Sequence, residues 1–182
     1  LPDVAGFAPL HQYLATLGYR KEQPTLVQTG HVLAMRQLID RPKAEVADKP
    51  DAAWAQLFLG DGFDPVDGAH RVTLLSRAQG TAFASVRQDG ETVAGGAGSF
   101  SHGWASVHGM RTVLSHRRQG LAKHVLASLA QIALDRGFEN VFLQVEAENL
   151  AAQAVYQQAG FQTAWQYAYW RKRIMSHDRT CH

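Results

Sequence analysis

Apolar residues recur along the chain with two different periods, one typical of helices and the other of strands. The clearest helical face follows Gln119, where Leu121, Val125, Leu129 and Ile132 recur every three or four residues. Short apolar runs and alternating positions predict strands on either side of that helix. The predicted strands cover residues 24–29, 44–47, 81–87, 92–101, 105–113, 141–146 and 162–172, and the predicted helices cover 10–17, 51–59, 66–77, the stretch from 120 to about 136, and 149–156.

The order of these elements predicts part of the strand pairing. Asp89-Gly90 is a hairpin signal, so strands 81–87 and 92–101 are expected to pair antiparallel. A helix separates strand 105–113 from strand 141–146, and a helical crossover of this kind joins parallel neighbours. We therefore expect those two strands to lie parallel, with their carboxyl ends at the same edge of the sheet.

A basic turn lies between strand 105–113 and the helix that follows it. Arg117 and Arg118 supply forked donors, and Gly120 and Ala122 leave room for close approach to the backbone. The first turn of a helix also has unpaired N–H groups and favours negative charge. The turn is therefore a candidate phosphate site, although a basic helix start on a protein surface has the same pattern.

A second motif follows strand 141–146. Asn149 opens a short helix that carries Ala152 and Tyr156 and that closes at Gly160-Phe161. This spacing resembles the Asn-x-x-Ala-x-x-x-Tyr-x-x-x-Gly-Phe element of the GNAT acyltransferase superfamily. The basic turn resembles the Arg/Gln-x-x-Gly-x-Gly/Ala motif of the same superfamily through Arg117, Gly120 and Ala122. Two motifs in this order are more specific than either alone, and the resemblance covers residues 44–172.

The resemblance implies an α/β fold, an α+β mixed sheet whose two central parallel strands splay apart. It implies a GNAT domain at residues 44–173 and a tail at 174–182. It also implies acetyl-CoA as the co-substrate, with direct attack by an amine in a ternary complex. The implied coenzyme contacts are the backbone of Met110, Thr112 and Val113, the turn formed by Arg117, Arg118, Gln119, Gly120, Leu121 and Ala122, and Asn149.

Several of these residues also have ordinary structural interpretations. The side chains of Met110 and Val113 suit core packing, and Asn149 suits a helix cap, a role compatible with coenzyme contact.

The resemblance also implies an oxyanion contact from the backbone of this strand. The backbone N–H of Met110 or Arg111 would face the thioester oxygen and stabilise its developing charge.

The resemblance assigns Tyr156 to the departing thiolate. A phenol has a pKa of about 10 and a thiol one of about 8.5, so a hydrogen bond to the thiolate is the safer description than full proton transfer. Tyr156 as a packing residue is the alternative. Glu146, at the end of its strand, is the first candidate to accept the proton of the acceptor amine, and His108 is the second. Glu146 stabilising the following turn, His108 pointing into the core, and a water chain as base remain open.

The N-terminal segment, residues 1–43, precedes the region of resemblance. Helix, glycine, aromatic residue and strand recur at 17–27 and at 159–169 with the same spacing. We interpret residues 1 to about 30 as a possible remnant of a degenerate GNAT-like unit, with coincidence as the alternative. Leu14 stands where the second copy has Tyr156, so the segment is expected to dock on the GNAT domain, away from the basic turn, without a catalytic group.

Composition narrows the function without identifying the acceptor. The 182 residues are 46% hydrophobic and 19% charged, with net charge +2, which gives no strong case for nucleic acid or membrane partners. There is no signal-peptide pattern or apolar run long enough to span a bilayer, and Cys181 is the single cysteine, so a cytoplasmic location is expected. The missing initiating Met suggests that the natural chain begins earlier.

The histidines show no metal-ligand spacing, so no metal site is expected; His177, Cys181 and His182 suit a stray cation or a tail. The predicted activity is N-acetyl transfer to a small-molecule or peptide amine, with the oligomeric state open. The alternatives are a non-catalytic CoA-binding or interaction protein and, less favoured, a nucleic-acid-binding module.

Overall fold

The structure is a computed structural model that describes residues 1–60 and 64–172. The predicted tail, with its His and Cys residues, lies outside this range. The strands are β1 (Arg20–His31), β2 (Glu45–Ala47), β3 (Ala82–Gln88), β4 (Glu91–Ser101), β5 (Trp104–Thr112), β6 (Asn140–Glu146) and β7 (Gln162–Arg171). The helices are α1 (Ala8–Thr16), α2 (Val32–Arg36), α3 (Ala52–Gln56), α4 (Pro65–Arg77), α5 (Leu121–Asp135) and α6 (Leu150–Gln158), with 3-10 turns at Ala5–Phe7 and Leu114–His116.

All seven strands form one sheet in the order β2-β3-β4-β5-β6-β1-β7. The β5–β6 pair is parallel and every other pair is antiparallel, so the expected mixed α+β sheet is confirmed. The predicted elements appear with ends shifted by a few residues. Helix α2 was not predicted, because its five residues are too few to show a period, but it buries Val32 and Met35.

Two apolar clusters pack on opposite faces of the sheet. The larger one contains the fully buried Val125 and Leu126 of α5 together with residues of α2 and α6. The smaller one joins Trp54 and Phe58 to Phe83 of β3. Adjacent strand residues point to opposite faces, which is why Phe83 belongs to one cluster and Ala84 to the other.

The parallel strands splay at their carboxyl ends, as expected. Pairing of β5 with β6 runs from Trp104 opposite Asn140 to Val107 opposite Leu143 and then stops, although both strands continue. The separation begins at Gly109, which has φ +58. A side chain there would meet the Phe58 ring at 3.1 Å, so the bend requires glycine both for its backbone and for its close packing.

The strand of the N-terminal segment lies inside the sheet. β1 pairs antiparallel with β6, from Thr25 opposite Glu146 to His31 opposite Asn140, and its other edge pairs with β7. The segment is therefore an integral part of the sheet, whereas the sequence predicted that it docks on a GNAT domain whose sheet is already complete. α1, in contrast, has no buried residue. The interpretation of residues 1 to about 30 as a degenerate remnant stays a prediction, and so does the domain boundary at residue 43.

Candidate active site

A cavity of about 650 Å³ opens at the splay between β5 and β6. Its walls come from α4, β1, β5, β6, α6 and β7. Residues near both ends of the chain therefore line the same cavity, the larger hollow of this site. The polar residues that line it are Gln23, Thr25, Asp67, Arg71, His108, Arg111, Gln144, Glu146, Asn149, Tyr156, Tyr167 and Tyr169.

Tyr156 reaches this cavity from α6 with only 7% of its surface exposed. Its ring packs edge-on against Phe161, with centroids 6.0 Å apart. Burial raises the pKa of Tyr156 to about 12, because the phenolate would be poorly solvated there. The hydroxyl is therefore protonated at neutral pH and suited to donate a hydrogen bond.

Asn149 acts as the N-cap of α6. Its side-chain oxygen accepts a hydrogen bond from the backbone N–H of Ala152 at 3.1 Å. The capping interpretation from the sequence is therefore correct, and Asn149 also lies on the cavity wall. The cap fixes the first turn of the helix that carries Tyr156.

His108 and Glu146 both line the cavity, from β5 and β6. His108 is partly buried, and this burial lowers its pKa below the usual value, so its imidazole is neutral at pH 7. Its Nε2 lies 2.7 Å from the Ser106 hydroxyl. Glu146 is exposed at the end of its strand. Neither sequence-predicted candidate is directed into the core.

Cationic and acidic groups meet on the α4 side of the cavity. Arg71 forms an ion pair with Asp67 one turn away, at 3.6 Å. Arg111 lies with its guanidinium carbon 6.0 Å from the centre of the Phe58 ring. Burial, with Arg71 and Arg117 nearby, lowers the pKa of Arg111 to about 10, so it still carries its charge at neutral pH.

The basic turn follows the same carboxyl end of β5. Gly120 is the N-cap of α5 with φ +76, and no side chain caps this helix start. A Cβ at Gly120 would meet nothing within 4 Å, so the turn presents open backbone to solvent. A second hollow of about 350 Å³ lies beside it, lined by Gln56, Leu57, Gly60, Arg111, Thr112, Val113, Leu114, Ser115 and Arg117.

The residues expected from the sequence fall into three groups, one at each hollow and one at the turn itself. Met110, Glu146, Asn149 and Tyr156 line the larger hollow, and Thr112, Val113 and Arg117 line the smaller. Met110 and Val113 also pack against the apolar core, as their structural interpretation expects. Arg118, Gln119, Gly120, Leu121 and Ala122 form the turn and the first residues of α5.

Gln23 and Thr25 of β1, Asp67 and Arg71 of α4, and Tyr169 of β7 form the far wall of the larger hollow and were not among the predicted site residues. The alternation of Trp165, Tyr167 and Tyr169 was the one available signal, because it places three aromatic side chains on a single face of β7. Tyr167 donates a hydrogen bond to the Gln144 side-chain oxygen at 2.8 Å, which ties that face to β6.

Residues 1–60 and 64–172 contain neither a cluster of metal-ligating side chains nor a membrane-spanning helix. No group of three or more His, Cys, Asp or Glu side chains within residues 1–60 and 64–172 could hold a metal ion. Over the same residues, none of the helices is long and apolar enough to cross a membrane.

Comparison with known proteins gives a family match over most of the chain. The model of the acetyltransferase (GNAT) family matches residues 34–161. Aminoglycoside N(6')-acetyltransferase type 1 of Salmonella typhimurium is 26% identical over 119 residues, which are 63% of this chain and 79% of that protein. N-acetyltransferase 8 of Homo sapiens is 36% identical over 64 residues, which are 34% of this chain.

The fold is also similar to that of solved structures. A GCN5-related N-acetyltransferase from Sphaerobacter thermophilus superposes with a TM-score of 0.68 at 17% identity, covering 92% of this chain. The chain spans 57% of that structure and 28% of the human relative, less than two thirds of either length.

Proposed function

The chain belongs to the acetyltransferase (GNAT) family, and from this premise we propose that it transfers an acetyl group from acetyl-CoA to an amine by direct attack in a ternary complex. The observation that carries the proposal is the arrangement along β5 beyond Val107: the cavity that holds Tyr156 and the smaller hollow beside Arg117 share Arg111, and the uncapped start of α5 follows in sequence. A phosphate site, an unpaired strand edge and a polar reaction cavity are the three parts that this reaction needs.

The residues present fit the coenzyme. Arg117 and Arg118 and the uncapped N–H groups after Gly120 suit the pyrophosphate. The coenzyme arm then pairs with β5 beyond Val107, where β6 no longer occupies that edge. Met110 and Thr112 offer backbone groups there, and Asn149 lines the opposite side.

The chemistry follows from the groups around the thioester. The amine nitrogen bonds to the thioester carbon, and the carbon–sulfur bond breaks. The backbone N–H of Met110 or Arg111 stabilises the charge that develops on the oxygen. Tyr156 donates a hydrogen bond to the leaving sulfur, because its hydroxyl stays protonated at any physiological pH.

The acceptor amine arrives mostly protonated, since an alkylamine has a pKa of about 10. Glu146 supplies a carboxylate beside the splay that attracts the ammonium, and either Glu146 or His108 takes its proton. No side chain is acylated in this scheme.

The acceptor is a polar amine, either a small molecule or a peptide N-terminus. The cavity wall contributes acidic and cationic groups from α4, β5 and β6 and hydroxyls from β7, which favours acceptors that carry further polar groups. Aminoglycosides, the substrate class named for one relative, belong in the first test panel.

Two measurements test the proposal. Calorimetric titration with acetyl-CoA should show saturable binding, and a panel of aminoglycosides, amino acids and peptides should include an acceptor that releases CoA thiol. Coenzyme binding without thiol release from any amine would identify a non-catalytic CoA-binding protein. Absence of coenzyme binding would overturn the proposal.

A further inference from the structure

His108 stands at the junction between the sheet and the reaction cavity. It is the last residue of β5 before the Gly109 bend, one position beyond the last residue paired with β6. Its ring lies edge-on to Phe142, with centroids 6.4 Å apart, and it lines the larger hollow. A packed ring of this kind has a defined orientation toward the cavity.

Ser106 holds one nitrogen of that ring. The Ser106 hydroxyl lies 2.7 Å from His108 Nε2 and 3.4 Å from the backbone oxygen of Ser99 on β4. In the short Ser106–His108 contact either the hydroxyl or Nε2 can be the donor. When the hydroxyl proton goes to the Ser99 carbonyl, which only accepts, Nε2 of His108 carries the ring proton and donates it to Ser106.

We propose that Ser106 is a positioning residue that fixes the tautomer of His108, so that Nδ1 of His108 accepts the proton of the acceptor amine. This inference rests on the proposed acetyl transfer and deepens it. With Nε2 engaged by Ser106, Nδ1 is the nitrogen left for a ligand in the cavity. The lone pair of Nδ1 takes one ammonium proton and later gives it to water, and the second amine proton leaves with the thiolate.

The charged groups that line the cavity together with His108 are balanced. Asp67 and Glu146 supply two carboxylates, and Arg71 and Arg111 supply two guanidinium groups. Tyr156, Tyr167 and Tyr169 complete the titratable lining. Burial is the cause of the lowered pKa of His108, which therefore stays in its basic form to lower pH than a free imidazole.

Glu146 has a different part in this arrangement. It is exposed, and its backbone oxygen accepts from the side chain of Gln153, so its strand end is fixed while its carboxylate faces water. An exposed carboxylate suits attraction of the incoming ammonium, and a partly buried neutral imidazole suits its deprotonation.

The experiment combines kinetics with ¹⁵N NMR of the histidine ring in the full chain. Ser106→Ala should lower kcat about tenfold, less than the ~10²–10⁴-fold loss expected when a general base itself is removed. It should alter the acidic limb of the pH profile and leave the KM for acetyl-CoA unchanged. Ser106→Thr keeps a hydroxyl and should restore both kcat and the acidic limb. Ser101 lies on the same face of β4 as Ser99, but opposite Trp104 and not Ser106. Ser101→Ala is therefore the control, and it should leave kcat, KM and the pH profile unchanged. NMR should show the proton on Nε2 in the resting protein.

His108→Gln should lower kcat/KM by about 10² to 10⁴ and remove the acidic limb, whereas Glu146→Gln should retain that limb. The reverse result would overturn the proposal, as would a proton on Nδ1 in the wild-type protein. The NMR result needs no substrate, so it stands even if no amine is acetylated. Failure of the wild type with every amine would instead count against the proposed function. Melting curves check that each variant folds.

Discussion

At the scale of single residues, burial decides how Tyr156 can act. Its hydroxyl is nearly enclosed, and its raised pKa of about 12 makes it a weaker acid than free tyrosine. A thiol has a pKa of about 8.5, so in the proposed reaction the phenol would keep its proton on average while it stabilises the sulfur by hydrogen bonding. The same burial makes its ring part of the packing beside Phe161.

Replacing Tyr156 with Phe separates these two contributions. Phe keeps the ring packing but removes the hydroxyl, so we expect kcat to fall about 10²-fold, the low end of the usual range, with little change in the KM for acetyl-CoA. The melting temperature should stay close to that of the wild type. Steady-state kinetics measure the effect, and turnover within twofold of wild type would mean that the hydroxyl has no chemical role.

Gly120 and Gly137 form a matched pair at the two ends of α5. Their φ angles are +76 and +79, and a Cβ added at either position would meet no atom within 4 Å. Val at each position should therefore cost similar stability, about 1–2 kcal/mol from backbone strain. Only Gly120→Val should abolish acetyl-CoA binding in calorimetry, because a branched side chain would occupy the phosphate approach. Equal affinities in the two variants would reduce the basic turn to a surface feature.

From the sequence, the positions of the candidate residues relative to one another could be predicted where they are continuous in the chain, while their roles stay predictions. Asn149 and Tyr156 share one helix, and the basic turn is a single local motif, so spacing alone predicts their neighbours. Gln23 and Asp67 reach the cavity only through tertiary packing of β1 and α4, and no local pattern carries that information. Ser106 and His108 are only two residues apart, but their contact was not predicted because a serine in a strand has no distinctive sequence pattern.

At the scale of elements, the two parts of the N-terminal segment differ in their importance. α1 buries no residue, and residues 1–3 contribute a few backbone hydrogen bonds to β7 through Leu1 and Asp3. β1 bonds to a neighbour on both edges. Alternation predicts that β1 is a strand, but periodicity does not specify which strands it lies between, and that is why docking was the sequence-based expectation.

Two truncations test this difference. A chain starting at Gly18 loses the helix and those few hydrogen bonds and should lose about 2–3 kcal/mol in the free energy of unfolding. A chain starting at Val32 loses an internal strand and leaves β6 and β7 without their shared partner, so we expect no cooperative unfolding transition. Denaturant titration followed by circular dichroism measures both, and a stable second variant would show that the sheet closes without β1.

At the scale of the whole molecule, the splay leaves the sheet incomplete where the coenzyme is proposed to pair. A ligand that binds only the folded chain stabilises it by about 2.7 kcal/mol at one hundred times its Kd. For a chain of this size that corresponds to a rise of about 5–10 °C in Tm. Thermal melts with acetyl-CoA should show this rise, and Gly120→Val should not. A wild-type Tm independent of acetyl-CoA would contradict the assigned site.

The place of β1 in the sheet also has a consequence for how the protein is made. β1 ends at His31, whereas its two partner strands begin only at Asn140 and Gln162. During synthesis, β1 therefore has no partner strand until the ribosome has added those later residues. At about 5–20 residues per second that delay lasts on the order of 5–20 seconds. During this time a strand with two open edges is exposed to other chains. Protection of nascent β1 by a chaperone, rather than the stability of the finished sheet, would then limit the yield of folded protein in cells.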